Sequence, residues 1–508
     1  MALAALVVLA AACGSSPAIS SAPVPTGAPG ATGPAAPTGT PGTTRAPGSP
    51  AASAPASSGP ASWRPGDPAS IAARVTTEGM HAHLVALDRI ARENGGTRAT
   101  GSAGDAATAD YVAGVLDDAG YAVTSERLDV PVYLDPGGNE LAVLGPGGRA
   151  FADGRDFRAL VYAAAGTVEA PVVAIDWDPT STAPDGPGCT TADFAGIPRG
   201  AIVLVRPGDC WRRITVLNAQ EAGAAALVVA TPWSGPGEVR RVTLLDPRGI
   251  LIPAMAASRE VGEALAAAAA DGRSVHLATA GRVETRQVRS VLAELPGSDP
   301  DRVVMVGAHL DSSMDGPGVV DDGTGVAAIL ELARAAAGTR PRATIRFAFW
   351  AAEEIGLGGS IGYVEALTHG ERERIEAYLN ADMLGSPNGI RGVYREASAA
   401  PGSDVITAAF AADLDARGLA WEPVDIEGGA DHGPFSGAGI PTGGLFSGAV
   451  GVLDATQAER YGGRAGRPLD PCYHLACDDL ANVDEGRLAE LAGSFARVTL
   501  ELAFGAGP

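Results

Sequence analysis

The chain has 508 residues, 46% of them hydrophobic and 19% charged, enough to bury the core of a catalytic domain and a second module, which excludes a peptide, a fibre or a coiled coil. Its 59 acidic residues outweigh 37 basic ones, none of them lysine, to a net charge of −22; such a surface does not condense on phosphate backbones, and nucleic acid is a poor partner. Beyond the first dozen residues no apolar run approaches the roughly 20 residues needed to span a bilayer.

Residues 1–12 form an apolar run ending in small residues just before Cys13. This run resembles a bacterial lipoprotein signal, which implies lipid attachment at Cys13 and a protein secreted or lipid-anchored on the outer face of the cell membrane, with plain secretion as the alternative. From residue 14 to 66 nearly every residue is Ala, Gly, Pro, Ser or Thr. Such a stretch cannot bury a core and reads as a disordered tether with a reach of roughly 40 Å.

Residues 77–127 read as two helices, around His83 to Arg92 and Ala106 to Ala119, with Asn94, Gly95 and Gly96 as the stop between them. His81 and His83 have no carboxylate partner in this spacing and read as surface or capping residues. From about 131 to 280 the texture changes to short valine-rich strands: Pro171 to Ile175, Ala201 to Val205, Ala226 to Ala230 and Ile250 to Ala254, then an alanine-rich helix from Val261 to Ala270. With Cys13 set aside, four cysteines remain as two locally spaced pairs, Cys189 with Cys210 and Cys472 with Cys477, each able to close a loop in an oxidising compartment. After Val288, strands at Arg302 to Val306, Ala343 to Trp350, Tyr378 to Ala381 and Thr442 to Phe446 alternate with helices at Gly325 to Ala337, Ser360 to Leu367, Ser403 to Ala416 and Glu485 to Phe504. That alternation predicts an α/β fold with a mostly parallel central sheet flanked by helices.

The chemistry-bearing residues follow those strands. One strand runs into His309-Leu-Asp311, the next into Glu353-Glu354, the third into Asp382. In open α/β sheets ligands sit outside the carboxyl ends of the strands, so the three motifs converge. Between the first two lies a glycine-rich turn carrying Asp321 and Asp322; it is no phosphate loop, having two acids and no lysine. Cys472-Tyr473-His474-Leu-Ala-Cys477 puts a histidine and a phenol in a loop that a disulfide would rigidify, reducing the entropy lost when a metal binds. Two histidines and several carboxylates without thiolates suit zinc, and are able to take cobalt or manganese. Five ligands exceed the needs of one ion; two adjacent dications need a bridging carboxylate, and Asp321 is placed to be it.

Together these residues resemble the di-zinc aminopeptidase family of the aminopeptidase Y and Streptomyces griseus secreted-aminopeptidase type. The resemblance spans residues 77–127 and 285–507 and rests on AHLDS, GPGVVDDGTG, FWAAEEIGL, YLNADMLGSPN, DHGPF, TGGLFSGA and CYHLACD. Between them, the run from Cys189 to Ala224 resembles a protease-associated domain, a module that carries no catalytic residues and reads either as a lid or substrate-presenting element or as a spacer. The chain then divides into a signal (1–13), a linker (14–66), the first part of a zinc-exopeptidase-type domain (67–130), a smaller β-rich insert (131–280) and the catalytic part (281–508).

Residue by residue, the family implies two zinc ions, with His309 and Asp382 on one, Glu354 and His474 on the other, and Asp321 between them. Glu353 is then the general base, Tyr473 a hydrogen-bond donor to the developing oxyanion, and Asp311 the partner of the second ring nitrogen of His309. The family also implies a cis peptide between Asp321 and Asp322. A backbone carbonyl near Gly429 would read the free amine, where this chain has Gly428-Gly429-Ala430 in place of the family's Gly-Arg-Ser. Phe446 and Met383 fall where an apolar pocket would favour Leu, Phe or Met at the substrate N-terminus. The function implied is an extracytoplasmic, monomeric aminopeptidase acting on peptides with a free N-terminus. A related carboxypeptidase or dipeptidase, or a non-catalytic peptide-binding protein on the same scaffold, are the alternatives.

Overall fold

The computed structural model describes residues 66–180 and 186–505; Cys13 and nearly all of the predicted linker lie outside the described residues. Eight strands build the sheet that carries the site, in the order Val123–Leu134, Arg282–Leu295, Ala343–Trp350, Asp299–His309, Ile375–Ala381, Thr442–Phe446, Gly392–Tyr394, Glu422–Val424. The four middle strands, from 343–350 to 442–446, are mutually parallel; 282–295 and 123–134 add antiparallel on one side and 392–394 on the other. The parallel strands are apolar along nearly their whole length because helices cover both faces. Along Asp299–His309 the two-residue period sorts side chains between layers: Val304 and Val306 pack against the helices Gly323–Ala336 and Glu485–Phe504, Val303 and Met305 against Tyr363, Val364 and Phe435.

The helices Ser403–Ala416 and Glu485–Phe504 span the residues that their periodicity predicts. The first long helix starts earlier than expected, at Thr77, because the Thr76 hydroxyl accepts the N–H of Gly79 at 3.1 Å and caps it there. His83 is not a surface residue: it is buried, with Nδ1 at 2.7 Å from the Tyr111 hydroxyl and Nε2 at 3.2 Å from Glu331. Its carboxylate partner comes from a helix some 250 residues away, which no local spacing reveals. The strand expected at Ile250 to Ala254 lies instead at Ala254–Ala257, since Pro253 has no N–H to enter the ladder.

The stretch between Leu134 and Arg282 leaves and re-enters the main sheet at one point, because those two residues are paired partners at the end of the antiparallel ribbon. It folds around its own sheet, ordered Arg149–Ala150, Glu140–Val143, Ser274–Thr279, Gly166–Ala174, Ile202–Val205, Ala226–Ala230, Ala254–Ala257, Phe157–Ala159, and around its own apolar clusters. Tyr133, Met314 and Ile355 of the larger unit join one of these clusters, so the two cores meet beside the site.

Candidate metal centre

Parallel pairing sets the site. His309 ends its strand level with Trp350 of the neighbour, whose continuation supplies Glu353 and Glu354; Asp382 follows the strand on the other side. Asp322 caps the helix Gly323–Ala336 by accepting the N–H of Gly325 at 2.8 Å. A Cβ on Gly325 would lie 2.0 Å from the Ala381 carbonyl oxygen, so only glycine lets this helix reach the strand that ends at Asp382. The peptide between Asp321 and Asp322 is cis. Both disulfides, Cys189–Cys210 and Cys472–Cys477, are formed, and the second closes the loop that holds His474.

The Asp321 carboxylate lies between the two imidazoles. Its Oδ1 is 3.2 Å from His309 Nε2 and its Oδ2 is 3.1 Å from His474 Nε2. His309 Nε2 is also 3.9 Å from Asp382 and 4.0 Å from Glu353, while His474 Nε2 is 3.1 Å from Glu354. Two triads with mutually close ligand atoms result, His309–Asp321–Asp382 and Asp321–Glu354–His474, sharing Asp321. Buried oxygens on either side of it, Asp382 Oδ1 and Glu354 Oε1, have no hydrogen-bond partner. Orphaned carboxylate oxygens facing imidazole nitrogens are what a cation satisfies, and a nitrogen-and-oxygen set without thiolate suits zinc.

The grouping shifts its members' proton affinities in opposite directions. Burial opposes charging His309 and His474, yet the surrounding carboxylates, Glu353 first around His309 and Glu354 first around His474, hold both well above the usual imidazole range. Burial also pushes Glu353 well up, with Asp431, Glu354 and Asp382 adding to it against His309. Asp382 is pushed up to about 7, again chiefly by burial. Glu353 and Asp382 are thus held toward their protonated forms, whereas, against its burial, the two imidazoles hold Asp321 well below the usual carboxylate range.

Several neighbours escaped sequence reasoning. Arg98 is fully buried beneath the site, donating to the main-chain oxygens of Pro317 at 2.9 Å, Gly318 at 2.6 Å and Leu310. It thereby ties together the turn between His309 and Asp321. Asp478, just past the second disulfide, accepts the N–H groups of Val320 at 2.9 Å and Asp321 at 3.2 Å. Asp311 meets His309 Nδ1 through its main-chain oxygen at 2.9 Å, with a carboxylate oxygen 3.9 Å from the same nitrogen. That carboxylate also accepts from the N–H of Glu353 at 3.1 Å, the N–H of Glu354 at 3.2 Å and the Thr100 hydroxyl at 2.6 Å. The Tyr473 ring stacks on His474 with centroids 3.8 Å apart, and Arg240 of the insert donates to the Tyr473 main-chain oxygen at 2.9 Å.

Of the residues expected to meet substrate, Met383 is buried directly after Asp382, and Phe446 is half-buried at the end of its strand, two strands from His309. Gly429 lies in a turn closed by its N–H to the Ile426 oxygen at 2.9 Å, and a Cβ built there would be 4.0 Å from the Trp211 ring of the insert. His432 bonds Glu396 at 2.7 Å and Asp431 accepts from Ser360 at 2.5 Å, so both are engaged within the scaffold.

Residues 290–499 match peptidase family M28 and residues 168–265 match the PA domain. An aminopeptidase of Pseudomonas aeruginosa is 36% identical over 424 residues, covering 82% of this chain and 79% of its own. The Mycobacterium tuberculosis protein named probable lipoprotein aminopeptidase LpqL is 37% identical over 433 residues, covering 82% of each chain. Among solved structures, the aminopeptidase from Aneurinibacillus sp. strain AM-1 superposes with a TM-score of 0.67 at 24% identity, over 87% of this chain and 98% of its own. A zinc aminopeptidase from Bacillus subtilis does so with a TM-score of 0.63 at 22% identity, over 84% and 94%.

Proposed function

From a chain that belongs to peptidase family M28 and is a zinc-dependent aminopeptidase, we propose a two-ion enzyme that removes large hydrophobic residues such as leucine from peptides outside the cytoplasm. The observation that carries the two-ion count is the Asp321 carboxylate, one oxygen turned to each histidine. His309 and Asp382 would hold one zinc, Glu354 and His474 the other, with Asp321 shared. Bound there, zinc supplies Lewis acidity that polarises the scissile carbonyl and acidifies water.

The chain's own groups do the rest. Glu353, whose Oε2 lies 4.0 Å from His309 Nε2, takes the proton of the attacking water on its carboxylate and returns it to the nitrogen of the leaving amine. The Tyr473 hydroxyl donates to the oxygen that gains charge. The substrate ammonium is held by the Glu353 and Asp382 carboxylates and the main-chain oxygen near Gly429, and Met383 and Phe446 border its side chain. Attachment through a lipidated Cys13 is supported by the sequence before it and by the relative named a lipoprotein. No described helix is long and apolar enough to cross a membrane. A monomer is the proposed state.

The test follows one leucine-initiated peptide in free, N-acetylated and C-amidated forms by mass spectrometry, with and without a chelator. Leucine should leave the free and amidated peptides only, and chelator should stop it. Trimming of the acetylated peptide from its other end would overturn the reading in favour of a carboxypeptidase.

A further inference from the structure

On the Glu354–His474 side of the metal centre opens a cavity of about 160 Å³, most of whose lining residues have no role in the chemistry described above. Val132 and Leu134 wall it from the end of the antiparallel ribbon, Met314 and Ile355 from loops that follow His309 and Glu354, and Val161 and Thr243 from the insert. Glu354 and His474 are among its lining residues. Its two arginines are already engaged. Arg241 binds Asp135 at 2.6 Å and Asp315 at 3.1 Å, and Arg286 donates to the Gly101 oxygen at 2.9 Å and to Glu284 at 3.2 Å. The lining hydroxyls of Thr97, Thr100 and Ser312 are likewise spent on Ser313, Asp311 and Gly316. An occupant therefore meets mainly methyl and methylene groups, and an apolar cavity of about 150 Å³ is enough for a benzene ring.

Position identifies the occupant. The substrate ammonium belongs on the Asp382–Glu353 side, and the scissile carbonyl lies over Asp321. The peptide beyond that bond runs toward Glu354 and His474, where the cavity opens. We propose that this cavity receives the side chain of the second substrate residue and selects apolar and aromatic ones. The inference rests on the substrate orientation given under the proposed function. The wall supplied by the insert is held in place: Arg240 bonds the Tyr473 main chain at 2.9 Å, Arg158 binds Asp315 at 2.7 Å, and Val161 exchanges backbone hydrogen bonds of 3.1 Å with Val242 and Leu244. The insert is thus part of the binding site for the leaving peptide, which a spacer is not.

The experiment compares kcat/KM for Leu-Phe, Leu-Gly and Leu-Asp peptides of equal length, and the Kd of uncleavable Leu-Phe and Leu-Gly analogues carrying a reduced central bond. Leu-Phe should exceed Leu-Gly by about 10-fold or more in both measurements. Thr243→Trp fills the cavity and should bring the ratio to within about 2-fold; Met314→Trp tests the opposite wall should the first variant fail to fold, with circular dichroism and zinc content as checks on both. A native ratio near 1, or a ratio unmoved in a folded, zinc-loaded variant, overturns the proposal. The substrate orientation is tested separately by N-acetyl-Leu-Phe peptides: release of N-acetyl-leucine from them would count against an ammonium held by Glu353 and Asp382, and the subsite would fall with it.

Discussion

The proton-carrying role proposed for Glu353 is one that the proposed ligands around it could not share, because its carboxylate lies 4.0 Å from His309 yet belongs to neither triad. Glu353→Gln should lower kcat by about 10²–10⁴-fold while zinc content, read by atomic emission, stays at the native level; an equal loss of metal would make it a ligand. A second residue-scale prediction concerns Asp105, buried and pushed up to about 7 from 3.8, mainly by desolvation. With the folded value raised, the native state binds the proton more tightly, so stability is fully present below about pH 4 and falls as pH rises through 7. The slope is at most about 1.4 kcal/mol per pH unit. Asp105→Asn keeps an oxygen for the Gly101 N–H, 2.8 Å away, and should flatten the melting temperature measured between pH 5 and 8. The residues around Asp321 were legible in the sequence because each ends or follows a strand, sits in a glycine turn or, like His474, lies between two closely spaced cysteines. Arg98 and Asp478 were not, because a side chain that binds distant main-chain groups leaves no spacing behind it.

Among the elements, the loop closed by Cys472–Cys477 is joined to the turn bearing Asp321 through His474 and, at the turn's backbone, through Asp478, both of whose carboxylate oxygens accept N–H groups there. Asp478→Ala should weaken zinc binding by about 10- to 100-fold in a competition titration, the usual cost of removing a group that orients ligands. A variant that binds zinc as tightly as the native protein would show that the turn holds itself. Elements were legible where apolar residues run continuously, as in Ala343–Trp350, or cluster on a helical face, as in Glu485–Phe504. The ribbon of Val123–Leu134 and Arg282–Leu295 was missed: over much of their length its strands are exposed or half-exposed and polar, a texture shared with loops.

For the whole molecule, the ribbon makes the insert separable. Since Leu134 and Arg282 are paired, replacing the residues between them with a two-residue Asn-Gly turn satisfies hairpin geometry without moving either strand. The shortened chain should fold and bind zinc, and should lose discrimination between Leu-Phe and Leu-Gly peptides; a shortened, folded chain that still discriminates would place selectivity wholly in the larger unit. The apolar side chains that this exposes, Met314 and Ile355 among them, are few. The same pairing also governs how the chain reaches its native state. Joining Val123–Leu134 to Arg282–Leu295 through an unfolded stretch of about 150 residues costs about 4 kcal/mol more loop entropy than joining them through a tight turn. Once the insert has collapsed around its own clusters its two ends stand side by side, and that cost is already met. The insert then acts as the turn of a very large hairpin, and a mutation deep in the cluster built of insert residues alone, such as one at Leu204, should slow assembly of a catalytic sheet to which that cluster contributes nothing.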